Sequence, residues 1–120
     1  EEEMPVTSST TRLTNLLSKK EFIVFAALHE NEVVGGLTAY ELPMHSSDHS
    51  EAYIYDIAVH SRFQRKGLGL KMIAALKDYC RQNGIQTFFV EAHGEDIHAV
   101  EFYHKAGGKA EKVVHFNFEV

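Results

Sequence analysis

Apolar residues along the chain fall into two kinds of segment. Apolar positions at helical spacing predict helices over about residues 10–19, 67–82 and 97–105. Runs rich in β-branched and aromatic residues predict strands over residues 22–28, 33–41, 52–60, 87–92 and 113–118. The order of these elements predicts an α/β (α+β) fold in which a mixed central β-sheet is flanked by helices. The polar residues 1–11 are expected to form a loosely held lead-in.

Local patterns within the strands add detail to this picture. The two strands that flank the long helix are expected to be parallel and joined by a right-handed crossover. Gly35 and Gly36 lie inside a strand and indicate a bulge or a close approach of two backbones. Asp56 interrupts the strongest strand, and strict alternation places Tyr55 and Ile57 on the face opposite to it. A carboxylate there is costly without a partner or a function, so pairing with an arginine or a hydroxyl is the structural alternative to a catalytic role.

Length and composition then define the class of protein. The 120 residues suffice for one domain, residues 1–120, with 44% hydrophobic and 24% charged residues. The net charge of −5 argues against nucleic acid as a partner and fits a cationic substrate. A single cysteine excludes an internal disulfide. No apolar run approaches the roughly 20 residues of a membrane span, so we expect a cytoplasmic protein without a membrane partner.

A basic, glycine-containing segment joins the strongest strand to the longest helix. Residues 64–69 read QRKGLG, and residues 62–71 carry basic side chains but no acid. Glycines let backbone N–H groups converge on an anion, and a helix N-terminus adds its positive dipole end. The segment therefore predicts a phosphate or pyrophosphate site, with a solvated turn as the alternative. Its spacing fits neither the nucleoside-triphosphate loop nor the dinucleotide fingerprint.

These motifs together resemble those of the Gcn5-related N-acetyltransferases (GNAT). Residues 64–69 match the family's Q/R-x-x-G-x-G/A motif for acetyl-CoA, and residues 99–107 (AVEFYHKAG) look like its A-x-x-F-Y-x-K-x-G segment. Residues 52–59 and 114–119 are similar to those of the type I aminoglycoside 3-N-acetyltransferases. Asn117 and His93 depart from that group, which tends to carry acids there, and this bears on the substrate more than on the fold.

The resemblance implies an N-acetyltransferase that moves the acetyl group of acetyl-CoA directly to the 3-amino group of an aminoglycoside antibiotic. Backbone groups of one strand would hold the pantetheine arm, and amides of the loop would hold the pyrophosphate. The residues that this assigns to acetyl-CoA are Ile57, Ala58, Val59, Gln64, Arg65, Lys66, Gly67, Leu68, Gly69, Ala99, Phe102 and Tyr103. For the strand residues, plain core packing is the alternative.

The resemblance also assigns the chemistry. Tyr103 matches the tyrosine whose hydroxyl lies near the thiol and protonates the leaving thiolate, with a core aromatic as the alternative reading. Asp56 would bind the substrate ammonium and accept its proton, directly or through water. The residues assigned to the cationic amine substrate are Tyr55, Asp56, Glu91, Asp96 and Glu119. For any single acid among them, a solvated surface charge is the alternative.

Several wider expectations follow. GNAT folds begin with a strand and one or two helices ahead of the hairpin, so an N-terminal strand or helix is expected to be missing from this chain. By family analogy, strand edges near residues 113–120 would pair across a two-fold axis in a homodimer. The histidine spacings are not those of a zinc site, and no metal is expected. A polyamine, small amine or protein amino group as acceptor, and a non-catalytic acyl-CoA-binding module, stay open as alternatives.

Overall fold

The computed structural model describes residues 10–120, which form four strands and three α-helices. The helices are α1 (Thr10–Leu17), α2 (Leu68–Gln82) and α3 (Ile97–Lys105). The strands are β1 (Phe22–His29), β2 (Glu32–Pro43), β3 (Ser50–Val59) and β4 (Ile85–Val90), and a short 3-10 turn spans Ser61–Phe63. Among the described residues, no helix has both the length and the apolar character that crossing a bilayer requires.

The sheet has the order β1-β2-β3-β4 and is mixed. β1 with β2 and β2 with β3 are antiparallel, whereas β3 and β4 are parallel and are connected through α2. The predicted hairpin, crossover and mixed sheet are therefore confirmed. β4 pairs only with residues 50–54 of β3, while β2 pairs with β3 as far as Val59. β3 and β4 consequently separate after Ile54, and this separation positions the site described below.

The core lies between the sheet and α2. The predicted apolar stripe of α2 is buried, and it packs against inward side chains of every strand. Leu76 of α2 and Leu37 of β2 are both fully buried. Asn83 caps the end of the helix, and Gly84 has the left-handed φ of 71° that suits a glycine there.

Two bulges interrupt the strand pairing. One leaves Val34 of β2 without a partner in β1, and the other leaves Tyr55 of β3 without a partner in β2. A Cβ on Gly35 would lie 3.2 Å from the carbonyl oxygen of Ala58, so the predicted close backbone approach is confirmed. The prediction that Tyr55 shares the face of Ile57 is wrong, because the extra residue breaks the alternation at that point.

The prediction of a strand over residues 113–118 is also wrong. Residues 108–120 have no regular secondary structure, and their apolar side chains, including Phe116 and Phe118, are exposed. Strand propensity describes a residue's own side chain, but a strand forms only where another strand offers hydrogen bonds. Instead, His115 of this tail contacts Glu91, the residue that follows β4.

Candidate active site

The loop between β3 and α2 has the backbone geometry of an anion site. Arg65 and Gly67 both adopt left-handed conformations, with φ of 64° and 84°. The N–H of Lys71 donates to the carbonyl of Gly67 at 3.0 Å and closes the first turn of α2. The N–H groups before Lys71 have no intrahelical acceptor, and the first turn carries no acid. Backbone amides and the helix dipole therefore favour an anion at this position.

Two side-chain contacts hold this loop in place. The Gln64 amide nitrogen donates to the carbonyl oxygen of Val59 at 2.9 Å and ties the loop to the end of β3. The Lys66 ammonium lies 5.6 Å from the centre of the Phe63 ring. Gln64, which the sequence assigns to the cofactor, thus has a bracing contact as well.

The loop and α3 enclose a groove of about 500 Å³, which we call the loop groove. Its lining residues are Gln64, Arg65, Gly67, Leu70, His98, Glu101, Phe102 and Lys105. The glycine-containing loop and α3, some 30 positions apart in sequence, thereby face each other across this groove. Sequence reasoning did not assign His98, Glu101 or Lys105 to the site, although their spacing with Phe102 is that of one helix face.

A second groove, of about 740 Å³, lies between α3, β4 and the tail, and we call it the tail groove. Tyr103 lines it together with Ile54 and Glu91. The rings of Phe102 and Tyr103 are 5.1 Å apart, and both pack against the core. Since Phe102 lines one groove and Tyr103 the other, this aromatic pair lies between the two.

At the end of β3, backbone groups and not side chains are available to a ligand. The side chains of Ile57, Ala58 and Val59 are all buried. Their backbone lies beyond the residues that β4 pairs with, so apart from the Val59 carbonyl, which Gln64 holds, a ligand's amide groups have access to a strand edge that β4 does not share. The side chains of these residues can pack in the core while their backbone binds a ligand, so the two predicted roles do not conflict. Asp56 is half-buried and is paired in register with Thr38, on the face away from α2.

Glu91 follows β4 and is held from two sides. The Tyr53 hydroxyl donates to its Oε1 at 2.8 Å, and His115 Nδ1 lies 3.1 Å from its Oε2. His115 Nε2 lies 3.0 Å from Oδ1 of Asn117. The hydrogen bond from Tyr53 is the main cause that lowers the pKa of Glu91, and those with Asn117 and Glu91 raise the pKa of His115. The tail is therefore attached to the sheet through a charged contact.

Tyr53 and His115 were missed by sequence reasoning. Alternation along β3 places Tyr53 on the open face and so offered a signal, but no local pattern connects His115 to Glu91. The tail's course, which only the tertiary structure shows, brings these two residues together.

Two of the predicted acids have other surroundings. Asp96 caps α3, since its Oδ1 accepts the N–H of Ala99 at 3.1 Å. Ala99, which the resemblance assigns to the cofactor, thus has its backbone N–H engaged within the helix end. Glu119 lies in the exposed tail. Within residues 10–120, no group of three or more His, Cys, Asp or Glu side chains is placed to hold a metal ion.

Comparison with known proteins places this geometry in a family. The model of the acetyltransferase (GNAT) family matches residues 2–108. An aminoglycoside acetyltransferase from an uncultured soil metagenomic sample has been solved with trehalose and with sisomicin. The two structures are 39% and 38% identical to this chain, with TM-scores of 0.90 and 0.91, and the match covers 96% of this chain and 76% of that one.

A curated relative adds support at lower similarity. An uncharacterized N-acetyltransferase of Bacillus subtilis is 29% identical over 87 residues, which are 72% of this chain and 54% of that protein. The chain thus spans about half the length of this relative. The match to the family model covers most of the chain, from the hairpin through α3. We conclude that the chain belongs to the acetyltransferase (GNAT) family.

Proposed function

We propose that this protein transfers an acetyl group from acetyl-CoA to an amine of an aminoglycoside, at the 3-amino position, by direct transfer. The observation that carries the proposal is the meeting of two unlike grooves at Phe102 and Tyr103. The loop groove offers amides and cations to an anionic donor. The sheet face beside the tail groove offers carboxylates to a cationic acceptor, while the tail groove itself is lined by two acids and two lysines, Glu91, Glu111, Lys77 and Lys109.

The residues of the loop groove fit the diphosphate of acetyl-CoA, which supplies an acetyl thioester when bound. Arg65 and Lys105 line the groove on opposite sides, and Gly67 leaves the helix N-terminus without a side chain in front of it. Glu101 adds one carboxylate to the α3 wall. The backbone of Ile57, Ala58 and Val59 would align the pantetheine arm, and one of its N–H groups would polarise the thioester carbonyl.

Asp56 and Tyr103 carry the proton transfers in this proposal. Asp56 binds the substrate ammonium and takes its proton, directly or through water. The Tyr103 hydroxyl would donate a hydrogen bond, and then its proton, to the sulfur of the CoA thiolate that acetyl transfer releases. Glu91, fixed by Tyr53 and His115, adds a second carboxylate for a polycation.

Similarity to a solved enzyme supports the aminoglycoside class. The relative crystallised with sisomicin is named an aminoglycoside acetyltransferase and shares 38% of its residues with this chain. The same protein has also been crystallised in complex with trehalose. The 3-amino position rests on the sequence resemblance of residues 52–59 and 114–119.

Thiol release from acetyl-CoA tests the proposal directly. We expect turnover with sisomicin that exceeds turnover with spermidine or with a peptide bearing a free N-terminus, and NMR of the product should place the acetyl group on the 3-amino nitrogen. Faster turnover with spermidine or the peptide would move the acceptor to a polyamine or a protein amino group. Calorimetric binding of acetyl-CoA without turnover on any amine would indicate a non-catalytic module.

The role of Asp56 has its own test. We expect Asp56→Asn to lower kcat by about 10²-fold, the typical contribution of a positioned acid or base, with the Kd for acetyl-CoA unchanged. Asp48→Asn, which makes the same change in the β2–β3 loop outside both grooves, is the matched control and should leave kcat near the wild-type value. If Asp56→Asn kept full kcat, Asp56 would not be the proton acceptor.

A further inference from the structure

A row of aromatic side chains crosses the whole sheet on the face opposite α2. The register pairs Phe22 with Tyr40, Tyr40 with Tyr53, and Tyr53 with Phe89. Ring centres are 5.3 Å apart between Phe22 and Tyr40, and 4.9 Å apart in the stacked pair of Tyr53 and Phe89. The sheet therefore carries an aromatic surface on the side that α2 does not cover.

The bulge in β3 adds a ring that stands upright on this row. Tyr55 has no partner in β2, and its side chain is 68% exposed. Its ring lies 5.9 Å from that of Tyr40 and 6.1 Å from that of Tyr53, at 89° to each. Bulges of this kind re-aim a side chain, and here the result is a corner with two walls at right angles, which we call the aromatic corner (Tyr40, Tyr53 and Tyr55).

The strand charges around the corner are of one sign, and His115 of the tail contacts the neighbouring Glu91 at 3.1 Å. The four described strands contain no lysine or arginine. Glu51 and Asp56 belong to the rows on either side of Tyr53, on the same face. The Tyr53 hydroxyl also holds Glu91 at 2.8 Å. A ligand of the corner should therefore be cationic and should also present flat apolar faces to the rings.

We propose that the aromatic corner is a binding site for a ring of an aminosugar. One face of the sugar ring stacks on Tyr55, while an ammonium substituent binds Glu91 and approaches the faces of the tyrosine rings. This inference rests on the proposed function for its choice of acceptor class, but stacking itself does not require acetyl transfer. A linear polyamine has no ring to stack on Tyr55, so its binding would depend only on the carboxylates.

Binding of sisomicin and of spermidine to the full chain, measured by calorimetry without acetyl-CoA, tests the inference. Tyr55→Leu keeps an apolar side chain but removes the ring, and we expect it to weaken sisomicin about tenfold, as loss of one stacking ring does in other sites. Tyr55→Phe keeps the ring and should bind as the wild type does. Spermidine should bind Tyr55→Leu and wild type equally, whereas Glu91→Gln should weaken both ligands.

Phe118→Leu is the matched control, because it removes an exposed ring from the tail, and it should change neither ligand's affinity. The inference is overturned if the wild type does not bind sisomicin, if Tyr55→Leu binds it unchanged, or if that variant loses spermidine to the same extent. If Tyr55→Leu acetylates sisomicin with the wild-type KM, the proposal that the aromatic corner binds the sugar ring is wrong, but the proposed function is not. If sisomicin binding depends on Tyr55 as expected but no acetyl transfer follows, the proposed function alone is wrong.

Discussion

The left-handed residues of the loop show how single positions define the candidate site. Arg65 pays a conformational cost at φ 64° that glycine would not, whereas Gly67 adopts φ 84° freely. The pattern of residues 64–69 predicted an anion loop, but it did not reveal that Gln64 braces the loop through the carbonyl of Val59. The bracing contact depends on where β3 ends relative to the loop, which residue type alone does not encode.

Gly67→Ala is expected to weaken acetyl-CoA binding and to destabilise the fold by about 1 kcal/mol, the strain of a left-handed alanine. A Cβ at Gly67 would meet nothing within 4 Å, so the effect arises from the backbone and not from a clash. Urea unfolding and calorimetry with acetyl-CoA measure the two effects.

Gly94→Ala is the control for that substitution. It also places a Cβ in open space, but its backbone is outside the left-handed region. Equal loss of acetyl-CoA affinity in both variants would show that the conformation of Gly67 does not matter.

At the scale of elements, α3 lines both grooves, and Asp96 caps its N-terminus. Asp96 was predicted as a substrate residue, and that role stays a prediction, but the structure also gives it a capping bond to the Ala99 N–H. The two roles need different properties of the side chain. A cap needs an acceptor oxygen, which asparagine also provides, whereas ammonium binding needs the charge.

Asp96→Ala and Asp96→Asn therefore separate stability from binding. We expect Asp96→Ala to lower the free energy of unfolding by about 1 kcal/mol, and Asp96→Asn to retain most of it. If Asp96 contributes only the cap, the KM for sisomicin in Asp96→Asn will equal that of the wild type. A raised KM with unchanged stability would assign Asp96 to the substrate.

The attachment of the tail to β4 should depend on pH. The pKa of His115 is raised above its ordinary 6.5, so its contribution is complete below 6.5 and is lost as the pH rises through the raised value. The pKa of Glu91 is lowered below its ordinary 4.5, so its contribution is complete above 4.5 and is lost as the pH falls through the lowered value. The contact should thus be strongest between pH 4.5 and 6.5.

Backbone NMR relaxation of residues 113–118 as a function of pH measures this effect. We expect the tail to become more mobile as the pH rises through the raised pKa of His115. His115→Gln, which cannot titrate, should abolish that transition, and His45→Gln in the β2–β3 loop should preserve it. A transition that persists in His115→Gln would exclude this histidine as its origin.

At the scale of the whole molecule, opposite charges occupy different regions. Cations cluster around the N-terminus of α2, while the strands carry acids and no lysine or arginine. The net charge of −5 hides this separation. An anionic donor would be attracted to the loop groove and a polycationic acceptor to the acidic face of the sheet, which raises their local concentrations.

Raising the ionic strength from about 0.01 M to about 1 M shortens the Debye length from about 30 Å to about 3 Å. We therefore expect the KM for sisomicin to rise steeply with salt, and the KM for a monocationic amine to rise much less. Initial rates at saturating acetyl-CoA measure both. Equal salt dependence for the two amines would argue against a multiply acidic acceptor site.

The single-domain organisation, the homodimer and the cytoplasmic location stay predictions. The exposed Phe116 and Phe118 in the tail are compatible with pairing between copies, but the tail does not form the strand on which that prediction relied.

The sequence alone determined the helices, the four paired strands, the mixed sheet and the loop before α2, because apolar period, glycine and charge are properties of neighbouring residues. The tertiary structure alone decided the bulge that turns Tyr55 outward, the tail without a strand partner, and the contact of His115 with Glu91. Each of these depends on pairing with a residue remote in the chain. Local patterns carry no information on which remote residue that is, since register and docking arise only when the elements pack.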